Sequence, residues 1–433
     1  MDAERFRLVR EVFLDAQRFR GRARESFLAQ RCGRDSELLR EVSELLQLDA
    51  GEPSVIDRPI VQTDQAAAAP PSLVGMSMTA SRAHEPATPR SDRKSAVISA
   101  VGTHVLKDRL GAGALGKSYL TRVDSDPSRV RAAKIFRSEL NLTHSAADSV
   151  LTRLRVDHKS LEDAGHSGSG LVECGWLPAG AAYVVSTYVP GESIFTFADR
   201  RRLDLRARLI LFTDLCDSVE AAHRIGVIHA GIKPANVCVQ LVGDLPQVRL
   251  LDTALHRAVL SESTLRQSWL RCEVLHGTPE YVPPEHANGG GPVETSCDIY
   301  SLGAILYELL VGAGPFDRSS LRRFGVEAMQ RVVSEESPLE LQRRFAELGA
   351  DAADIAHKRD STPEKLAAEL AGDKSHLVLR ALAKQPRDRY KSVADLAADV
   401  RLVLDGKSLA PAPQPSDSLG LRMLKFVDKL RRA

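Results

Sequence analysis

A chain of 433 residues, 43% of them apolar, can bury a sizeable core and has room for more than one domain. Lysine and arginine (59) nearly balance aspartate and glutamate (57), and a net charge of +2 argues against nucleic acid as a partner held by the global field. The six cysteines are scattered without a C-x-x-C pair, which argues against a zinc site or a disulfide framework and fits a reduced, cytoplasmic setting. The charged start M-D-A-E-R-F-R has no apolar signal core, and the longest apolar run, Leu302 to Val311, falls well short of the ~20 residues that span a membrane.

Residues 1–55 read as a small all-α unit. Leu8, Val9, Val12, Phe13 and Ala16 recur at helical spacing, as do Leu38, Leu39, Val42, Leu45 and Leu46, with Asp35 placed to cap the later helix. Phe27 and Leu28 belong to a middle helix. No polar constellation accompanies these residues, so the unit reads as packing, with docking as the alternative. Residues 56–100 are rich in Ala, Pro, Ser and Thr without periodic apolar positions, and are expected to be a disordered linker.

A second domain is expected over 101–406. It begins with Leu110-Gly111-Ala-Gly113-Ala-Leu-Gly116, whose glycines permit a tight hairpin with close backbone approach to phosphates. Alone this is either a glycine turn or a nucleotide site. Ser118 and Tyr119 continue a strand rather than opening a helix, which argues against a dinucleotide fold. Lys134 follows in the apolar strand Ala132-Ala-Lys-Ile-Phe136. A lone strand lysine is usually a surface residue; downstream of that hairpin it is a phosphate-binding candidate. A helix is expected from Ala146 into Leu154, carrying Asp148. Beyond the strand Ala181–Val185 come Ser186-Thr187-Tyr188-Val189-Pro190-Gly191 and a hydrophobic helix, Leu205 to Arg224.

That helix leads into Val227-Ile-His-Ala-Gly-Ile-Lys-Pro-Ala-Asn-Val-Cys-Val239, a polar loop between apolar runs with His229, Lys233 and Asn236 at fixed offsets. Downstream lie Asp252-Thr253-Ala254, then Gly277-Thr-Pro-Glu-Tyr-Val-Pro-Pro-Glu285, Asp298-Ile-Tyr-Ser-Leu-Gly303 and Pro386-Arg-Asp-Arg-Tyr390, with Ser392 placed to cap a last helix. In this order the segments resemble those of the protein kinase family, whose catalytic loop is written H-R-D-L-K-P-x-N. The closest resemblance is to bacterial serine/threonine kinases with a short helical N-terminal region, and it covers residues 1–430. It implies an α+β, bilobal protein-kinase-like fold, a small antiparallel β-sheet lobe and a larger helical lobe, preceded by the small all-α unit.

The resemblance further implies Mg-ATP as ligand. Leu110, Gly111, Gly113, Gly116, Lys134, Thr187 and Val189 would contact the nucleotide, Asn236 and Asp252 the metal, and Lys233 the terminal phosphate. Asp298 would orient the catalytic-loop backbone, Arg389 would pair with Glu285, and residues 255–276 would form an activation segment. The chain departs from the pattern in four places. Ala230 and Gly231 replace the Arg and the catalytic Asp, and Thr253 and Ala254 replace the Phe and Gly after Asp252. No glutamate falls where the family pairs one with the strand lysine: Asp148 is the nearest acid to its place, and Glu139 and Glu162 are badly placed, which leaves the partner of Lys134 open. A pseudokinase acting through protein contacts is therefore expected, with a low-activity kinase or a scaffold binding no nucleotide as alternatives. The end reads as a Pro-rich linker, 407–417, and a basic amphipathic helix, 418–433. That helix would either touch an anionic membrane surface or a partner, or pack as a terminal helix.

Overall fold

A computed structural model describes residues 12, 21–33, 35, 38–39 and 99–409, except 124–125, 167–169, 179, 244 and 317–324. The expected linker before 99, the outer N-terminal helices and the tail from 410 onward lie outside the described residues. The chain divides into two compact units, one of residues 1–54 and 58–100 and the other of 55–57 and 101–433.

In the first unit, helix α1 (Gly21–Cys32) carries Phe27 and Leu28, and Val12, Leu28, Cys32 and Leu38 are buried together. The Asp35 carboxylate accepts from the Leu38 amide at 2.8 Å, the expected capping contact.

The second unit opens with a six-stranded sheet of order β1-β2-β3-β4-β6-β5, formed by Ala100–Val101, His104–Ala112, Gly116–Val123, Asp126–Phe136, Leu171–Trp176 (β5) and Ala182–Thr187 (β6). Strands β2 to β6 pair antiparallel, and Lys134 stands opposite Ser118 on β3 and Val184 on β6. Gly116 starts β3 where a Cβ would lie 2.1 Å from the Ile135 carbonyl oxygen, so only glycine lets the two strands approach there. Helix α2 (His144–Asp163) packs on this lobe through Ala147, Val150, Leu151, Leu154, His158 and Leu161. It outruns the expected Ala146–Leu154 because the apolar stripe continues to Leu161, and Thr143 caps it by accepting from the Ala146 amide at 3.2 Å.

Helices α3 (Ile194–Arg200) and α4 (Leu205–Arg224) open the helical lobe, with the three-stranded sheet β7 (Glu192–Ser193), β8 (Val237–Val242) and β9 (Leu245–Leu250) beside them. Next come α5 (Leu255–Ser261), α6 (Arg266–His276), α7 (Pro284–Ala287) and α8 (Thr295–Val311). The lobe closes with α9 (Gly325–Glu335), α10 (Leu341–Ala346), α11 (Ala352–His357), α12 (Pro363–Glu369), α13 (Asp373–Ala381) and α14 (Val393–Leu404). Helix α8 is buried almost all round, so the apolar run Leu302–Val311 is a core helix. Among the described residues no helix is long and apolar enough to cross a membrane. Ser392 caps α14 by accepting from the Asp395 amide at 3.1 Å. Arg389 clasps Glu285 through two bonds of 2.8 and 2.7 Å, the pair expected from the sequence.

The segment 255–276 is not an extended strap. It folds into α5 and α6, burying Leu255, Ala258, Val259, Leu260, Leu265, Trp269, Leu270 and Val274. Its apolar positions recur at helical intervals, and Ser268 is buried with them.

Candidate nucleotide and catalytic-loop site

The polar loop after α4 is fixed from beneath. Asp298, at the start of α8 and fully buried, accepts from the His229 and Ala230 amides at 2.9 and 2.8 Å. His223 Nε2 lies 2.8 Å from the same carboxylate. Burial alone would raise the Asp298 pKa, but the His223 bond and the bond from the His229 amide hold it below the ordinary value. The His229 ring accepts from the Gly231 amide at Nδ1 (3.2 Å) and donates from Nε2 to the Leu251 carbonyl (2.9 Å), which is a neutral tautomer. Burial keeps it neutral by lowering its pKa. Asn236 donates from its amide nitrogen to the Gly231 carbonyl at 2.9 Å, which leaves the amide oxygen as its ligand atom.

Across the cleft, Lys134 on β4 pairs with Asp252 Oδ2 beyond β9. Burial would raise the Asp252 pKa, yet the ammonium of Lys134 and that hydrogen bond hold it below the usual carboxylate range. Both Asp252 and Ala254 are left-handed, with φ of 55° and 66°. Ala254 stands where the family pattern has glycine, so its Cβ carries a strain of ~1 kcal/mol. Thr253 is buried and its Oγ1 has no hydrogen-bond partner among the described residues.

Asp148 does not reach Lys134. Its carboxylate accepts from Trp176 Nε1 at 3.1 Å, and the Trp176 ring stacks on His144 at 4.2 Å. Glu139 lies 3.9 Å from Arg137, and Glu162 is exposed. The buried face of α2 does carry one acid, Asp157, but it pairs with Arg257 at 3.4 Å, and the strand lysine turns to Asp252.

The glycine hairpin turns through a Gly113 amide to Gly116 carbonyl bond of 2.9 Å, and Arg137 Nε donates to the Gly113 carbonyl at 2.7 Å. Leu110 and Gly111 lie on β2 just before it. Thr187 ends β6 exposed, with Val189 half-buried two residues on.

Two residues that sequence reasoning missed complete the site. A Cβ on Gly231 would fall 2.2 Å from Cγ, 2.3 Å from Nδ1 and 2.7 Å from Cδ2 of His256 on α5. The imidazole therefore fills the space that an aspartate at 231 would use. Its pKa is pushed down to about 4, burial being the main cause and outweighing the nearby Glu273 carboxylate. Glu273 on α6 accepts from Lys233 Nζ at 3.2 Å and from the Thr278 amide at 3.0 Å, and lies 3.7 Å from His256 Nε2. Burial would raise the Glu273 pKa, but Lys233, His256 and the Thr278 amide bring it to about 2. Gly231, Lys233, His256, Trp269, Glu273 and Thr278 all line one small cavity. Neither His256 nor Glu273 sits in a recognisable motif. The only signal is two ionisable residues on the apolar phase of a helical segment.

The protein kinase domain family profile matches residues 104–392. The serine/threonine-protein kinase Pkn1 of Myxococcus xanthus is 28% identical over 68% of this chain and 37% of its own length. PknB of Mycobacterium tuberculosis is 27% identical over 70% of this chain and 43% of its own length. The chain thus spans less than half the length of these curated relatives. The crystal structure of a double mutant of the Mycobacterium tuberculosis PknI kinase domain superposes with a TM-score of 0.47 at 21% identity, over 71% of this chain and 99% of that one. With a small antiparallel sheet lobe on a helical lobe and the domain profile matched over most of its length, the chain belongs to the protein kinase domain family, among relatives that are bacterial serine/threonine kinases.

Proposed function

We propose that this chain is a pseudokinase: it binds Mg-ATP in the cleft between the glycine hairpin and the catalytic loop, and acts in signalling through contacts with other proteins. The observation that carries the reading is at Gly231. The position of the catalytic base has no side chain, and the His256 imidazole occupies the room a carboxylate would need.

The donor set suits the ligand. Asn236 offers an amide oxygen and Asp252 a carboxylate whose Oδ1 is not the atom Lys134 engages. Two such oxygens, with water and phosphate oxygens, match the way Mg2+ is usually held. Bound there, Mg2+ would neutralise phosphate charge. Lys134 would hold the inner phosphates, and Leu110, Gly111, Gly113 and Gly116 would cover them. The backbone at Thr187 and Val189 would meet the adenine.

A second reading, a low-activity serine/threonine kinase acting on protein substrates, is favoured by the retained Lys134, Lys233, Asn236 and Asp252. Loss of a general base costs typically ~10²–10⁴ in rate, which leaves weak transfer chemically accessible. Thermal unfolding with Mg-ATP, paired with a radiolabelled-ATP assay, separates the readings. Binding should stabilise the protein by about 2.7 kcal/mol at 100 times the dissociation constant, and the gain should vanish in Asp252→Ala. Phosphoryl transfer above background that disappears in Lys134→Ala and Asp252→Ala would establish the kinase reading instead. No stabilisation at saturating nucleotide would leave a scaffold.

A further inference from the structure

We infer that Glu273 makes the nucleotide cleft indifferent to the terminal phosphate, so that the chain binds a nucleoside diphosphate as tightly as the triphosphate. This rests on the nucleotide-binding reading above. Lys233 is the residue that would hold the terminal phosphate, and its side chain is already engaged. It donates to Glu273 Oε1 at 3.2 Å, with Lys233 11% and Glu273 3% exposed. The carboxylate is also not a transient visitor. The Thr278 amide holds its other oxygen at 3.0 Å, and the helix that carries it is anchored by buried Trp269, Leu270, Cys272 and Val274.

The electrostatic consequence follows from counting charges. Lys233 and Glu273 form a neutral pair, and buried His256 beside them is neutral at physiological pH. The side chains around Lys233 offer a terminal phosphate no net positive charge, and its oxygens come close to a fixed carboxylate. Freeing the lysine would require moving α6 or leaving a buried carboxylate unpaired, which is costly. The groups reserved for the inner phosphates, Lys134 and the glycine hairpin, are common to both nucleotides. The difference between triphosphate and diphosphate is therefore removed at one residue, Glu273.

The test is a pair of dissociation constants, for Mg-ATP and Mg-ADP, measured by calorimetry on the full 433-residue chain. The two constants should agree within about threefold, a difference of less than 1 kcal/mol. Glu273→Gln keeps an acceptor for the Thr278 amide but releases Lys233. It should tighten ATP over ADP by about tenfold or more, as a charge-assisted bond to phosphate allows. Adding Lys233→Met to that variant should abolish the new preference. A wild-type preference for ATP of tenfold or more overturns the inference while leaving nucleotide binding intact. So does a Glu273→Gln protein with an unchanged ratio. If neither nucleotide binds, the nucleotide-binding reading falls and the inference with it. Should Glu273→Gln not fold, the wild-type ratio still decides.

Discussion

Gly231 and His256 are best understood as one exchange. Gly231 has no side chain, and the His256 imidazole on α5 fills the space that one would take. The two residues should then behave as a coupled pair. Gly231→Ala alone drives a methyl group into a buried ring and should cost ~1–3 kcal/mol by overpacking. His256→Ala alone leaves a hole beside Glu273 and should also destabilise. Together the methyl has room, and the double variant should be more stable than the sum of the singles by ~1 kcal/mol or more. Urea unfolding of the four proteins measures this, and strict additivity would show that the ring does not occupy the space. For the same reason Gly231→Asp should not by itself create a competent loop, since the new carboxylate collides with His256 before it can meet a substrate hydroxyl.

Helices α5 and α6 are where the chain differs most from an open activation segment. Helix α5 lies against α2, tied by Arg257 to Asp157 at 3.4 Å and by a Ser149–Glu262 hydrogen bond. Arg257 also donates to the Gly226 carbonyl at 2.6 Å, joining the helix to the turn after α4. Asp157 is buried, and burial raises its pKa while Arg257 pulls it back down. Arg257→Ala should strand that carboxylate and cost ~1–3 kcal/mol. It should also speed tryptic cleavage at Arg266 and Arg271, whose backbone is held in α6; an unchanged cleavage rate would mean the tie does not hold the segment. These helices also mark the limit of what the sequence discloses. Glycine hairpin, strand lysine, catalytic loop and the Glu285–Arg389 clasp are read from ordered motifs, because each is a short local pattern with one geometric use. The partner of Lys134 is not, because no local pattern tells that Asp157, the buried acid of α2, is taken by Arg257. Only the folded chain shows Asp252 taking its place. His256 and Glu273 are equally silent, since burying a charge on an apolar helical phase depends on a loop far away in sequence.

At the scale of the whole molecule, the kinase unit buries ionisable groups wherever its elements meet, which ties its stability to pH. His158 on α2, His229 in the catalytic loop, His256 on α5 and His286 on α7 all have pKa values lowered, chiefly by burial. In the unfolded chain each takes up a proton near pH 6.5, but the folded protein resists it, His256 down to about 4. Between those values the unfolded state binds more protons, so stability must fall as the pH drops. Each histidine that stays neutral contributes a slope of about 1.4 kcal/mol per pH unit. The groups facing His256 are Glu273, Lys233, Asp252 and the His229 ring. Glu273 acts in a lower window. Its folded pKa of about 2 lies below its ordinary 4.5, so its contribution is present above 4.5 and lost only as the pH falls toward 2. The window from 6.5 to 4.5 thus belongs to the histidines. Urea unfolding at intervals from pH 7.5 to 4.5 should show stability constant at the top and declining below 6.5. His256→Asn removes one titrating group and should flatten that decline by about 1.4 kcal/mol per unit, whatever its effect on stability at pH 7.5. An unchanged slope in the variant would mean that His256 is protonated in the folded protein, with its imidazolium paired to Glu273 inside the site.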